Sequence, residues 1–170
     1  MKKLSLLLSL IMLFLCACGN EAENESKVSF YYPLKEISYG GSNSVIRAES
    51  HDLSHLSHEQ LLASYLNGPT QPELSNPFPN GVKIVSLKQK DAHITLVLTD
   101  RFASLSGLKL TMACVCLGKT AMQLTGTNSI TISCETQLLN GDQTIYLTLD
   151  SVLFEDTGTE LPIPASTTQE

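Results

Sequence analysis

The chain has 170 residues, 42% of them apolar and 16% charged, with five Cys, no Trp and a formal net charge of −6 at pH 7. This length supplies one hydrophobic core and leaves little room for two large catalytic domains. With 11 Lys+Arg against 17 Asp+Glu, the surface field repels phosphate and leaves no footprint for nucleic acid, while the apolar fraction is too high for wholesale disorder.

Met1, Lys2 and Lys3 form a basic start, and Leu4 to Leu15 is a run of Leu, Ile, Met and Phe broken by two serines. Twelve helical residues rise about 18 Å, short of the roughly 30 Å core of a bilayer, so the run reads as a signal peptide and not as a permanent span. It closes on Leu15-Cys16-Ala17-Cys18-Gly19. This resembles the bacterial lipobox, which implies cleavage after residue 17, lipid on Cys18, and anchoring to the extracytoplasmic face of the bacterial cell membrane. Processing would also remove Lys2 and Lys3, moving the net charge from −6 to −8. Residues 18–27 then form an acidic tether, 28–161 the folded unit, and 162–170 a polar, proline-started tail.

Val28 to Tyr32 is β-branched and aromatic, and Ser44 to Ala48 is a second short strand candidate across a Gly40-Gly41 turn. Ser57 followed by Gln60 makes a capping box, Leu61/Leu62 and Tyr65/Leu66 fall at helical spacing, and Gly68-Pro69 stops a helix over about 57–67. Thr70 to Asn80 holds Pro72, Pro77 and Pro79 and must be an extended loop. Val82 to Lys90 and Ala92 to Thr99 predict a hairpin around Lys90-Asp91. In its second strand Ala92, Ile94, Leu96 and Leu98 share one face and His93, Thr95 and Thr99 the other, as in a sheet covered on one side.

From Gly107 to Leu124, Leu110, Cys114, Leu117, Ala121 and Leu124 recur at helical spacing, flanked by Leu108, Met112, Val115 and Met122, which predicts a broadly buried helix. Gly126 ends it. Ser129 to Cys134, then Thr144 to Leu149 and Val152 to Phe154 beyond an Asn140-Gly141-Asp142 turn, give the remaining strands. The order predicts an α+β fold, a two-layer sandwich of a mostly antiparallel sheet with two helices on one face.

Leu61 to Pro69, the loop ending Pro79-Asn80-Gly81-Val82-Lys83-Ile84, the hairpin with its exit Thr99-Asp100-Arg101-Phe102, the 107–124 helix and Ile130-Thr131-Ile132 together resemble the sporulation and spore germination (GerMN) domain. The resemblance covers about Val28 to Ser133. It implies a membrane-attached extracytoplasmic interaction domain, similar in fold to ring-building modules of envelope complexes, and it brings no catalytic residues. Two departures stand out. The family commonly has Gly where this chain has Ala92, which predicts a longer or bulged loop; and the closing helix is richer in Cys and Met than expected, with Thr144 to Phe154 extending beyond the module.

Side chains that carry chemistry are few. Cys-x-Cys on one helix splays Cys114 and Cys116 about 200° apart, so both do not serve one tetrahedral ion. Cys114 and Cys134 fall at comparable depth on facing elements, which allows either a disulfide between them or two buried small hydrophobes. His51, His55 and His58 would align only on a helix begun before residue 51. The Ser57 cap argues against that, leaving solvated histidines rather than a metal site. No G-x-S-x-G, S-x-x-K, P-loop or G-x-G-x-x-G occurs, so no enzyme and no cofactor is expected. The leading expectation is a lipid-anchored envelope protein that binds another protein, itself open to oligomerisation. The alternative is a lipid-anchored small-solute or metal-binding protein using the 70–80 loop and the histidines.

Overall fold

The computed structural model describes residues 27–36, 45–53 and 55–152. The signal run, Cys18 and its tether, the Gly40-Gly41 turn, and residues 153–170 lie outside these. The described elements are β1 (Val28–Pro33), β2 (Ile46–His51), α1 (His58–Leu66), β3 (Ile84–Lys90), β4 (His93–Leu98), a 3-10 turn (Asp100–Ser104), α2 (Gly107–Thr125), β5 (Ser129–Cys134), β6 (Thr144–Thr148) and a final helical turn α3 (Leu149–Val152).

The fold is α+β. Strands β3, β4, β5 and β6 form one sheet in that order and β1 pairs with β2 in a second. All pairs are antiparallel except β4 with β5. That parallel pair follows from α2, which carries the chain from one end of the sheet back to the other between them. The apolar face of the large sheet presents Ile94, Leu96, Leu98, Ile130 and Ile132, each fully buried. On that face α2 lies against β5 and β6, with α1 beside it against β3. The β1–β2 hairpin covers the other side of α2, where Thr120 Oγ1 accepts the Tyr31 amide at 3.0 Å. Ala113 to Gly118 is consequently buried on every side of the helix.

The expected punctuation is present in atomic detail. The Gln60 amide donates to Ser57 Oγ, and the Ser57 amide donates back to Gln60 Oε1, so the capping box is complete. Gly68 follows α1 at φ 98°, a backbone conformation that favours glycine, and a Cβ there would press on the Asn76 side chain. Gly81 enters β3 at φ 82° beside the Arg101 side chain.

Four expectations needed correction. The second strand runs from Ile46 to His51, not from Ser44 to Ala48, because Glu49 and His51 find partners that hold the chain extended. The β3–β4 loop is neither long nor bulged: Lys90 pairs directly with His93, and Asp91 takes the positive φ of 53° that permits a two-residue turn without glycine. Leu149–Val152 is a helical turn, so Leu149 and Val152 are not in the strands expected to hold them, the rest of the Val152 to Phe154 segment lying outside the described residues; Ser151 Oγ bonds the Thr148 amide and carbonyl and turns the chain. Leu108 is not part of the buried face of α2 but 78% exposed.

Candidate functional site

The face of the large sheet turned away from the helices is polar, and its strand register arranges it in three rows. Lys90, His93, Ser129 and Thr148 form the first, Lys88, Thr95, Thr131 and Tyr146 the second, and Ser86, Val97, Ser133 and Thr144 the third. None of the twelve is Asp or Glu, although acids outnumber bases in the chain. His93 organises the centre: Nδ1 lies 2.9 Å from Ser129 Oγ and Nε2 3.1 Å from Thr131 Oγ1. The Tyr146 ring stacks on it at 5.9 Å between centroids and 21° between planes, and Tyr146 is 61% exposed. The result is a rigid hydroxyl and imidazole platform with one projecting aromatic ring and two lysines along the β3 edge.

The residues singled out by type are dispersed. His51 closes β2, packs at a tilt against the Phe30 ring and pairs with Glu49; His55 lies in the turn before α1; His58 opens α1. Among the described residues no group of three or more His, Cys, Asp or Glu is disposed to hold a metal ion. Cys114, Cys116 and Cys134 are buried free thiols. Burial pushes the Cys114 thiol up to about 12, with Cys134 adding to the rise, and burial likewise pushes Cys116 up to about 12 against a small opposing effect of Lys119. Cys114 thus faces β5 while Cys116 faces the tyrosines of β1 and α1. Thiolate is scarce at neutral pH, so these thiols are poor nucleophiles and metal ligands.

Two acids that sequence pattern did not single out hold the loops. Glu49 is 2% exposed. Its carboxylate accepts the Thr70 amide at 3.0 Å, the Thr70 hydroxyl at 2.6 Å and the Gln71 amide at 2.8 Å, and lies 3.0 Å from His51 Nε2. Burial alone would raise its pKa; the hydrogen bonds from Thr70, Gln71 and His51 outweigh burial and hold it below the usual carboxylate range. Asp100, at the exit of β4, accepts the Thr136 hydroxyl at 2.5 Å and the Thr136 and Gln137 amides. Those bonds, the hydroxyl's first, lower its pKa although it lies at the surface. The only sequence signal for Asp100 was its place in Thr99-Asp100-Arg101-Phe102. Glu49 carried none, since an acid just past a short strand candidate reads as solvated.

Two grooves flank the proline loop. One, of about 670 Å³, runs between α1 and the Pro79–Ile84 entry. The other, of about 710 Å³, lies between the loop and the start of α2.

Fold and surface therefore define a small α+β domain with one open, polar sheet face. The family model described as "Germane: Sporulation and spore germination" matches residues 30–140, and the chain belongs to that family. Among solved structures, the tandem GerMN domains of the sporulation protein GerM from Bacillus subtilis align with TM-score 0.52 and 18% identity over 72% of this chain and 45% of that one. This chain thus spans less than half the length of that tandem structure, and the likeness is one of fold. A candidate lipoprotein from Clostridium perfringens aligns with TM-score 0.43 and 19% identity, over 73% of this chain and 87% of that one. No curated protein matches the chain.

Proposed function

We propose that the protein is a lipid-anchored extracytoplasmic interaction module, a subunit or accessory of a sporulation, germination or other cell-envelope assembly. The family match over residues 30–140 is the observation that carries this reading. The Leu15 to Gly19 motif supports the anchor, and no helix among the described residues is long and apolar enough to cross a membrane. The open sheet face supplies the contact surface. Its lysines and the absence of carboxylates suit a partner protein with an acidic surface, and the exposed Tyr146 ring would serve as its aromatic anchor.

Proximity labelling from the native anchor tests this. The wild-type chain is expected to enrich a defined set of envelope proteins, and Lys88→Glu/Lys90→Glu with Tyr146→Ala is expected to lose them while remaining folded. Cys18→Ser is expected to leave the membrane fraction. Equal labelling by the open-face variant removes that face from the proposal, and a Cys18→Ser chain that stays in the membrane removes the lipid anchor.

A Cys114–Cys134 disulfide is part of the proposal as a second state of the core, formed by an extracytoplasmic thiol oxidant. It would close a loop of about 20 residues and add roughly 3 kcal/mol. Alkylation after denaturation without reductant, followed by mass spectrometry, is the check: a fraction of chains with one modified thiol, at Cys116, is expected beside chains with three, and three modified thiols throughout exclude the bridge.

A further inference from the structure

The groove between the proline loop and α2 has a chemistry that the interaction reading does not use. Pro77, Phe78 and Pro79 line one side and Leu105, Leu108 and Met112 the other, with Lys35 and Lys109 at its rim. Phe78 is buried, whereas Leu108 in the first turn of α2 is a large apolar side chain left 78% exposed. Lys35 donates to the Pro72 carbonyl at 2.6 Å, which holds its ammonium beside the loop. Proline rings, an aromatic ring and a cationic rim suit an extended, proline-containing segment preceded by a carboxylate. At about 710 Å³ the groove is of the size that holds small ligands and short peptide stretches.

Such a segment occurs in this chain. Thr159-Glu160-Leu161-Pro162-Ile163-Pro164 places a carboxylate directly before two apolar residues alternating with proline, and residues 153–170 carry four acidic side chains and no Lys or Arg. Proline fixes φ and keeps the preceding residue extended, so little chain entropy is lost on docking. The reach is adequate. Val152 packs beside Gly118, where a Cβ on the glycine would lie 3.4 Å from Val152 Cγ1. Leu108 and Met112 lie six to ten residues nearer the start of the helix, about 9–15 Å at 1.5 Å per residue. The eight residues 153–160 span up to about 26 Å when extended. The same composition argues against the open sheet face as the seat, because that face offers hydroxyls and one aromatic ring but no apolar trough for Leu161 and Ile163.

We infer that the groove lined by Phe78, Leu105, Leu108 and Met112 is the seat of residues 159–164 of the same chain, with Glu160 directed to Lys109 at the rim. The inference stands apart from the partner reading, since it concerns a different face and needs no second protein.

A photo-crosslinking amino acid at position 161 of the full-length, membrane-anchored chain tests it, with the joined peptides mapped by mass spectrometry. The expected product migrates as a monomer and joins residue 161 to the stretch containing Leu108 and Met112. Lys109→Glu is expected to reduce its yield several-fold, and Lys109→Glu combined with Glu160→Lys to restore it. A product that migrates as a dimer assigns the groove to a second copy and overturns the inference, as does a product joined to another protein. Monomeric products spread over unrelated surfaces, no product at all, or a yield indifferent to both charge changes overturn it too.

Discussion

Glu49→Ala is expected to cost about 3 kcal/mol of folding stability, enough to lower Tm by roughly 10–15 °C in a domain of this size. The carboxylate is 2% exposed and is the acceptor for two loop amides and a hydroxyl. Truncation removes the one side chain that gathers those three donors at this half-buried junction. It also releases the Gly68 to Gln71 connection from β2, so the proline loop behind it loses its register on the domain. Glu49→Gln keeps the shape and one acceptor oxygen, and about half the loss is expected. The pH dependence separates charge from shape. Because the folded-state pKa is lowered, the contribution of Glu49 is present above the unfolded pKa near 4.3 and is lost as pH falls through the lower folded value. Wild-type stability should therefore fall more steeply than that of Glu49→Gln from about pH 5 downward. Chemical denaturation at a series of pH values measures both slopes, and parallel slopes would show that the charge contributes nothing.

Tyr65→Ala is expected to cost still more, about 4–5 kcal/mol, and Tyr65→Phe about 1–2 kcal/mol. The ring is fully buried among Phe30, Tyr32 and Phe78. Its hydroxyl donates to the Tyr31 carbonyl at 2.8 Å, while the Tyr32 hydroxyl donates to the Tyr65 carbonyl at 2.7 Å. These reciprocal bonds fasten α1 to β1, and burial raises both hydroxyl pKa values, so both stay protonated donors across the physiological range. The alanine variant opens a cavity at the meeting point of hairpin and helix, and the phenylalanine variant only strands one carbonyl. Thermal denaturation distinguishes the two. A loss in Tyr65→Phe equal to that in Tyr65→Ala would assign the whole effect to the hydrogen bond rather than to packing.

Local chemistry was legible where it is settled by neighbours in the chain. Ser57 and Gln60 read as a capping box because both partners lie within one turn, and both bonds are present. Ser129 to Cys134 read as a strand from its alternation, and its bounds are those residues. Asn140-Gly141 read as a tight turn, and both residues take positive φ. Leu108 misled, because its spacing placed it beside the apolar stripe of α2 although it sits in the first turn, beyond the reach of the sheet. Ala92 misled for a different reason: glycine is only one way to reach positive φ, and Asp91 supplies it here.

By itself the sequence determined the α+β class, the succession of elements, the GerMN resemblance and the motif at Cys18, because each rests on residues a few positions apart. The tertiary structure alone decided the parallel β4–β5 pairing, the burial of Glu49 against a loop some 20 residues away, and the three rows that set Tyr146 on His93. These depend on strand register and on contacts between distant segments. Alternation shows which side of a strand a residue occupies, but not which residue of the next strand it meets.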